Sequence, residues 1–252
     1  MKIATWNVNS LKVRLPHLLD WLAANPVDVV CLQETKSEDK NFPLVEIEAA
    51  GYHCVFSGQK TYNGVAIISR DAIGDVQYGI PDFEDEQKRV IAATIDDVRV
   101  ICVYIPNGQE VGSDKYAYKL RWLAALQAWL KTELQKYPKL ALLGDYNIAP
   151  DDRDVYDPVA WQDKVLCSEP ERTAFLNLIG LGLRDAFRLF EDGEKLYSWW
   201  DYRMMAFRRN MGMRIDHILI SGALQCSSCH IDKAPRKLER PSDHTPVVAD
   251  IT

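Results

Sequence analysis

Short apolar runs of strand length recur along the chain, and polar or turn-forming residues separate them. Apolar runs of about four to eight residues bounded by turn signals are typical of buried β-strands. The polar pair Asp96-Asp97 lies between the fifth and sixth runs, so these two are predicted to form a hairpin. The predicted strands are 2–6, 28–32, 52–57, 63–69, 90–96, 98–105, 139–144, 196–200, 214–220 and 245–251.

Apolar residues also recur at helical spacing, in the segments 14–24, about 115–136 and 170–181. In the longest segment four leucines share one face, and the lysines and Glu133 lie elsewhere, which predicts an amphipathic helix. Neighbouring strands with a few helices predict an α/β fold in which sheet packs on sheet and helices lie outside. No linker-like, low-complexity or repeated segment is present, so a single domain, 1–252, is predicted.

Carboxylate, amide and imidazole side chains recur where the apolar runs end. A single acid after a strand usually only ends the strand in water, but these residues lie in five separated segments. If they converge, their carboxylates repel one another unless a cation or a proton intervenes. Oxygen and amide ligands without cysteine select a hard ion such as Mg²⁺ or Mn²⁺. The set comprises Asn7, Glu34, Asp145, Asn147, Asp216, Asp243 and His244.

The chain is acidic overall but contains two local clusters of basic residues. The net charge of −6 argues against a uniformly basic surface for nucleic acid, although the distribution of charge matters more than its sum. Two basic clusters are either solvated faces or contacts for a polyanion, and both interpretations stay open. They are Arg203, Arg208, Arg209 and Arg214, and then Lys233, Arg236, Lys237 and Arg240.

The chain has neither an apolar stretch long enough for a membrane span nor an apolar signal region at Met1, so a soluble cytoplasmic protein is expected. Six cysteines in such a chain do not indicate a disulfide framework. Cys31 and Cys102 lie inside apolar runs and are expected in the core. The motif Cys226-Ser227-Ser228-Cys229-His230 matches a haem-attachment pattern, but that chemistry requires export, so we interpret the match as coincidence.

Most of the candidate residues belong to longer motifs that follow one another along the chain: Trp6-Asn7-Val8-Asn9, Leu32-Gln33-Glu34-Thr35-Lys36, Gly64-Val65-Ala66, Gly144-Asp145-Tyr146-Asn147-Ile148-Ala149-Pro150, Ser198-Trp199-Trp200-Asp201-Tyr202-Arg203, Met213-Arg214-Ile215-Asp216 and Pro241-Ser242-Asp243-His244-Thr245-Pro246. Together they resemble the exonuclease III family of DNA-repair nucleases, within the endonuclease/exonuclease/phosphatase superfamily. The resemblance covers essentially the whole chain. It implies a four-layer αββα sandwich, two sheets face to face with helices outside and the site at one end.

The resemblance also implies a cofactor and a substrate. It implies Mg²⁺ or Mn²⁺ as the metal, and double-stranded DNA with 3′ ends, nicks or abasic sites as the partner of a monomeric enzyme. By resemblance, Glu34 binds the metal with Asn7 beside it. Asp243 is a further metal ligand, and it holds His244, which donates to the scissile phosphate.

Three more residues receive catalytic roles by resemblance. Asp145 would orient or deprotonate the attacking water, and Asn147 would hold the phosphate or that water. Asp216 would assist protonation of the leaving 3′ oxygen. Tyr104, in Val103-Tyr104-Ile105-Pro106-Asn107-Gly108, matches a tyrosine that contacts the phosphate.

The DNA contacts are predicted less sharply. Trp199 and Trp200 are neighbours in a strand, so their side chains face opposite ways. One is expected in the core and the other at the site, against a deoxyribose or a terminal base, and the sequence leaves open which. Four further candidates for phosphate contact are Lys36, Asn63, Arg89 and Arg203.

Leu166 precedes Glu171-Arg172, which resembles the family's Glu-Arg at the start of a helix. In abasic-site endonucleases of the family a glycine often stands where this chain has Leu166 or Cys167. Either this loop faces solvent, or it borders the DNA channel, where a leucine would occupy the space that a flipped-out abasic sugar needs. The second interpretation predicts strong activity at 3′ ends and weak cleavage at internal abasic sites.

Three functions compete. The first is a metal-dependent DNA-repair phosphodiesterase with 3′→5′ exonuclease, 3′-phosphatase and abasic-site activities. The second is a phosphatase for a lipid or nucleotide phosphate, and the third is a non-catalytic binding protein on the same scaffold. The motif 199–203 favours DNA, and the presence of a competent residue at every catalytic position disfavours the third.

Overall fold

The computed structural model describes all residues, 1–252, and its fourteen strands and five α-helices follow the alternation predicted from the sequence. The strands are β1 (Lys2–Asn7), β2 (Val29–Gln33), β3 (His53–Ser57), β4 (Val65–Ser69), β5 (Ile73–Tyr78), β6 (Val90–Ile95), β7 (Val98–Tyr104), β8 (Leu140–Asp145), β9 (Leu183–Asp185), β10 (Trp199–Trp200), β11 (Gly212–Met213), β12 (Asp216–Ser221), β13 (Cys226–Ile231) and β14 (Val247–Ile251). The helices are α1 (Leu11–Ala24), α2 (Leu44–Ala49), α3 (Asp114–Lys136), α4 (Pro158–Trp161) and α5 (Glu169–Gly180).

Twelve of the strands form two six-stranded sheets, ordered β13-β14-β1-β2-β4-β3 and β5-β6-β7-β8-β12-β9, while β10 pairs with β11. Buried apolar side chains from both sheets, such as Ile3, Val29, Ile91 and Leu143, form one core between them. A second core joins the first sheet to α1 and α2, and a third joins the other sheet to α3 and α5. The chain is therefore the predicted α/β sandwich, with helices outside two packed sheets.

Each sheet contains one parallel pair, β1 with β2 and β7 with β8, whereas the other pairs are antiparallel. Parallel neighbours need a crossover connection, and α1 and α3 supply it. Strand β1 packs against β8 and β12 of the opposite sheet. The carboxyl ends of β1, β2, β7 and β8 consequently meet at one end of the sandwich.

The strand and helix predictions are largely confirmed, including the hairpin of β6 and β7 and the burial of Cys31 and Cys102. Four strands were not predicted, because β9 and β11 are very short and β5 and β13 are exposed edge strands without an apolar run. The predicted strand 196–200 shortens to β10, and α1 begins at Leu11 rather than at residue 14. None of the helices combines the length and apolar composition that a membrane crossing requires.

Candidate active site

The candidate catalytic residues converge at the end of the sandwich where the parallel strands finish. Asn7, Tyr104 and Asp145 are the last residues of β1, β7 and β8, and Glu34 follows β2 directly. Asp216 begins β12 and lies opposite Asp145 in the antiparallel pairing of β12 with β8. The strands approach closely here, since a Cβ on Gly144 would lie 1.9 Å from the Val103 carbonyl oxygen. Rigid strands therefore hold these side chains in place.

Asn7 bridges the two carboxylates from opposite sheets. Its Nδ2 donates to Glu34 Oε1 at 2.8 Å and to Asp145 Oδ2 at 2.9 Å. Its Oδ1 accepts from the Asn9 backbone N–H at 3.0 Å. Its NH₂ group thus faces the carboxylates and its oxygen faces the backbone, and the predicted role of Asn7 as a metal ligand stays a prediction.

His244 is held by Asp216. The Nδ1 atom of this buried imidazole lies 2.9 Å from Asp216 Oδ2, and its Nε2 lies 3.8 Å from Asp145 Oδ2. Burial opposes protonation, but the charges of Asp216, Asp145 and Asp243 outweigh it and raise the pKa of His244 to about 10. His244 is therefore an imidazolium at neutral pH, with Nε2–H directed towards the carboxylate of Asp145.

Asp243 does not hold His244, so this prediction is wrong. Its Oδ1 accepts from Asn9 Nδ2 at 2.9 Å, and its Oδ2 accepts from Trp199 Nε1 at 3.0 Å. Each of these oxygens keeps a free lone pair, so the predicted role of Asp243 as a metal ligand stays a prediction. Asp216 orients His244, and its predicted assistance in protonating the leaving 3′ oxygen also stays a prediction.

The electrostatics at Asp145 show an excess of negative charge. Burial raises the pKa of Asp145, and the charges of Asp216 and Glu34 raise it further, whereas His244 and the Asn7 hydrogen bond lower it. The net result is a pKa of about 7. A divalent cation would relieve the repulsion among these carboxylates.

The donor atoms of the site fit such a cation. A carboxylate oxygen of Glu34, one of Asp145 and a ring nitrogen of His244 all lie within 4.8 Å of one another. Because His244 is protonated and directed by Asp216, the two carboxylates are the candidates to hold the ion. Hard oxygen donors in small number match Mg²⁺, which keeps water and substrate oxygens in its other positions. Glu34 is partly exposed, so the position is open to substrate.

Tyr104 and Asn147 complete the site. Burial and the charges of Glu34 and Asp145 hold the pKa of Tyr104 well above its usual range, so its hydroxyl stays protonated and can donate. The Asn147 backbone N–H donates to Asp145 Oδ1 at 2.9 Å, and its Nδ2 donates to the Ile105 carbonyl at 2.9 Å. Both residues lie beside Asp145, and their predicted contacts with the phosphate or the attacking water stay predictions.

Comparison with known proteins identifies the family. The model described as the Endonuclease/Exonuclease/phosphatase family matches residues 4–244. The chain belongs to this family. It is similar to exodeoxyribonuclease III of Haemophilus influenzae, at 36% identity over 99% of each protein. Its structure is similar to that of the 3′ phosphatase NExo from Neisseria bound to a product DNA hairpin, with TM-score 0.99, 50% identity and coverage of 100% of this chain and 99% of that chain. An AP endonuclease from Archaeoglobus fulgidus gives TM-score 0.96 at 39% identity, covering 99% of this chain and 98% of that one.

In this member of the endonuclease/exonuclease/phosphatase family, the choice between the two tryptophans is settled by burial. Trp200 is fully buried and its Nε1 donates to Asn210 Oδ1, so it is not a surface contact for substrate. Its ring packs on Gly212, where a Cβ would lie 2.5 Å from Nε1. Trp199 is only half-buried and is fixed by Asp243 at the edge of the site.

The candidate phosphate contacts surround the site. Asn63 and Arg89 line a cavity of about 760 Å³ that begins at Tyr104. Lys36 lines a second cavity of about 610 Å³, and its Nζ lies 2.9 Å from Glu34 Oε2. Arg203 is 85% exposed, and its guanidinium pairs with Asp201 at 2.8 Å. All four are accessible or border accessible space, so their roles remain predictions.

Burial excludes one of the two interpretations of Leu166. Its side chain is 4% exposed and packs in a small apolar cluster with Ala149, Met213 and Ile215. The leucine therefore does not face solvent, and the steric hypothesis for abasic sites stays a prediction. Its backbone is unusual, because φ is +74°, a left-handed conformation that is strained for leucine.

Two polar residues of the site were missed by the sequence reasoning. Asn9 donates to Asp243 and accepts from Lys36 Nζ at 2.6 Å, and Ser198 Oγ donates to Asp216 Oδ2 at 2.7 Å. Both belong to motifs used to recognise the family, Trp6-Asn7-Val8-Asn9 and Ser198-Trp199. Neither side chain is charged, so neither carried a signal for metal or acid–base chemistry.

Proposed function

We propose that this protein is a metal-dependent DNA-repair nuclease that acts on duplex DNA at 3′ ends, nicks or abasic sites and hydrolyses the phosphate ester bond to the 3′ oxygen. The observation that carries the proposal is the pairing of a buried carboxylate, Asp145, with a protonated His244 whose ring nitrogen lies 3.8 Å away. Such a pair places a proton acceptor for the attacking water next to a cationic donor for a phosphate oxygen. The names of the similar proteins, an exodeoxyribonuclease, a 3′ phosphatase and an AP endonuclease, support DNA as the substrate.

In the proposed reaction Asp145 orients the attacking water and accepts its proton. Burial and its negative neighbours raise the pKa of this carboxylate above that of a surface aspartate, which makes it the stronger base before a cation binds. Asn7 and Asn147 hold the Asp145 carboxylate from two sides, which fixes the direction of its free lone pairs. The base is therefore preorganised before substrate arrives.

The donors of the site stabilise the negative charge that develops on the phosphate. His244 Nε2–H and the Tyr104 hydroxyl are both protonated and directed towards the carboxylates, where a phosphate oxygen would lie. Preorganised donors of this kind act most strongly in a water-poor site. A Mg²⁺ or Mn²⁺ ion held by Glu34 and Asp145 would supply Lewis-acid polarisation of a phosphate oxygen and charge neutralisation. All of these side chains come from one chain, so we propose that a monomer is sufficient.

The function is tested by incubating the protein with three 5′-labelled duplexes: a blunt duplex, a nick carrying a 3′-phosphate, and a duplex with one internal abasic site. We expect cleavage in Mg²⁺ or Mn²⁺, none in EDTA, and recovery when the metal is returned. Inositol phosphates and nucleotides serve as alternative substrates for a superfamily phosphatase. Hydrolysis of these, with all three duplexes intact, would overturn the proposal in favour of a phosphatase, and full activity in EDTA would exclude the metal.

A further inference from the structure

Helix α3 carries a lysine whose charge lies completely inside the protein. Lys119 has no exposed surface, although the sequence pattern placed the lysines of this helix away from its apolar face. Its Nζ donates to the Asn147 carbonyl at 2.6 Å, to the Asn107 carbonyl at 3.1 Å and to the Glu171 carboxylate. An ammonium group has three donors, so each of them has a partner.

The counter-ion is equally well bound. Besides Lys119, Glu171 Oε1 accepts from the Leu166 backbone N–H at 3.0 Å. Its Oε2 accepts from the Ser168 N–H at 3.2 Å and the Ser168 hydroxyl at 2.5 Å, as in the capping box that begins α5. Glu171 thus also holds the strained backbone of Leu166, whose carbonyl accepts from Ala149 N–H at 2.8 Å.

The partners of Lys119, two backbone carbonyls and one carboxylate, belong to three segments around the active site. Asn147 has a left-handed backbone, with φ of +49°, immediately after Asp145. Asn107 donates from its side chain to Asn147 Oδ1 at 3.1 Å, so Lys119 fixes the backbone of Asn147 and of the residue that orients its amide. A buried ion pair is a poor way to gain stability, because desolvation offsets most of its attraction. The two carbonyl contacts need a donor, which an apolar residue could not provide.

We propose that Lys119 is a positioning residue for the reaction: with Glu171 as its counter-ion, its ammonium group fixes the backbone at Asn147 and Asn107 and so directs the Asn147 amide to its place beside Asp145. This inference rests on the proposed nuclease function. A merely structural ion pair would change stability alone. A positioning residue changes turnover through Asn147, and the two possibilities can be separated.

The same helix offers a matched control. Arg99 Nε pairs with Glu133 Oε2 at 2.9 Å, and both side chains are almost fully buried. This pair joins the start of β7 to the last turns of α3, about 20 Å along the helix from Lys119 by helical rise. Neither residue contacts the active site. Removing this pair therefore tests what the loss of a buried ion pair on α3 does by itself.

The experiment compares Lys119→Met/Glu171→Gln with Arg99→Met/Glu133→Gln, so that no unpaired charge remains in either protein. We expect the first variant to lose about 10²-fold in kcat at saturating DNA with KM near the wild-type value, since displacing a catalytic group by about 1 Å has an effect of this size. The control should keep the wild-type kcat even if its Tm falls equally. Equal kcat in the two variants would overturn the proposal. If the first variant does not fold, Lys119→Met alone is compared with Arg99→Met.

Two further measurements separate this inference from the proposed function. In an Asn147→Ala background, the loss of the Lys119–Glu171 pair should change kcat by no more than about twofold. Lys119 is proposed to act on turnover through the Asn147 amide, which this background has already removed. A full 10²-fold loss in that background would show that Lys119 acts elsewhere and would overturn the proposal. Amide hydrogen exchange across 145–150 should accelerate in the Lys119 variant and not in the control. That readout needs no substrate, so unchanged exchange counts against Lys119, whereas an inactive wild type counts against the nuclease function.

Discussion

Two clusters of buried charge lie close together around the start of β12, and they differ in the balance of their charges. The active-site cluster consists of Glu34, Asp145, Asp216 and His244. The arginine cluster consists of Asp154, Asp185, Arg188 and Arg214. Asp216 and His217 are neighbours at the start of β12, so their side chains face opposite sides of the sheet. Asp216 therefore serves the active-site cluster, and His217 contacts the arginine cluster.

The arginine cluster is balanced. Arg214 Nε lies 2.7 Å from Asp154 Oδ1, its Nη1 lies 2.8 Å from Asp185 Oδ2, and Arg188 also pairs with Asp154. Burial would raise the pKa of Asp154, but the charges of Arg214 and Arg188 outweigh it and lower that pKa. Two acids thus face two guanidinium groups, and the cluster needs no further ion.

The active-site cluster contains three carboxylates and one imidazolium, and the Lys36 ammonium pairs with Glu34 at its open edge, so one negative charge stays unmatched. Burial raises the pKa of Asp145 to about 7, and the partner charges do not reverse this shift, in contrast to the lowered pKa of Asp154. Burial is nearly complete for both aspartates, so the sign of the shift comes from the partners. A buried acid with matched cations is structural, whereas an acid left with unmatched negative neighbours indicates a missing cation and a catalytic role.

The largest expected effect of this difference concerns Asp145. Replacing it by asparagine removes the base and one metal donor with little change of shape, so turnover should fall by about 10²–10⁴-fold. DNA binding should persist, and Tm in EDTA should not fall, because the lost charge was buried among like charges. Single-turnover rates and fluorescence anisotropy on the nicked duplex measure the two quantities. A variant that cleaves at a near wild-type rate would mean that Asp145 is not the base.

The sequence allowed prediction of the sandwich and of the side chains that meet at its end, because Glu34, Asp145 and Asp216 border strand-length apolar runs. It could not assign the partner of His244. Asp243 is adjacent in sequence, but Asp216 is brought to the imidazole by the pairing of β12 with β8. The side chains of sequence neighbours in an extended segment point in opposite directions, so Asp243 does not reach the imidazole. The strand pairing that brings Asp216 there joins distant parts of the chain and cannot be read from local sequence.

Other errors have similar physical causes. Which of Trp199 and Trp200 is buried depends on the face that β10 presents, and a shift of one residue reverses the answer. The positive φ of Leu166 could not be predicted, because glycine is the residue that usually marks such a position in a sequence and leucine does not. Lys119 and Glu133 were assigned to the polar side of α3, yet both are buried, because partners from distant segments satisfy their charges.

A smaller effect, on stability, is expected from Asp154→Asn. This change leaves Arg214 buried without one of its counter-ions, and breaking a buried pair in this way destabilises a protein by about 3–5 kcal/mol. Turnover should stay close to wild type well below Tm, since Asp154 touches neither Asp145 nor His244. Urea unfolding and steady-state kinetics on the same preparation check both expectations. Loss of activity without loss of stability would contradict the division into two clusters.

The two clusters should also respond oppositely to pH. The folded pKa of His244 is raised to about 10, so its contribution to stability is fully present below about 6.5 and is lost as pH rises towards 10. The pKa of His217 is lowered to about 4, by burial and by the charge of Arg214, so its contribution is lost as pH falls from about 6.5 towards 4. The free energy of unfolding in EDTA should therefore decrease from neutral pH towards 10. On the acid side the raised pKa of Asp145, about 7, acts against the His217 effect, so the His217 contribution is read from the difference between the wild type and a His217 variant.

Single replacements separate these slopes. His244→Gln should flatten the decrease above neutral pH, whereas His217→Gln should change the acid side only. Each slope reflects at most one proton, so it is bounded by about 1.4 kcal/mol per pH unit for each residue. If His217→Gln altered the slope above neutral pH, the assignment of the two histidines to separate clusters would be wrong.

The central claim is that the active-site cluster carries uncompensated negative charge which a divalent cation neutralises. The most direct measurement is Tm with increasing Mg²⁺, or Mn²⁺, for the wild type, Glu34→Gln and Asp154→Asn, with no DNA present. A ligand at 100 times its Kd stabilises the folded state by about 2.7 kcal/mol. The wild type and Asp154→Asn should both show a saturable rise in Tm, and Glu34→Gln should lose it. An equal rise in Glu34→Gln and the wild type would contradict the claim.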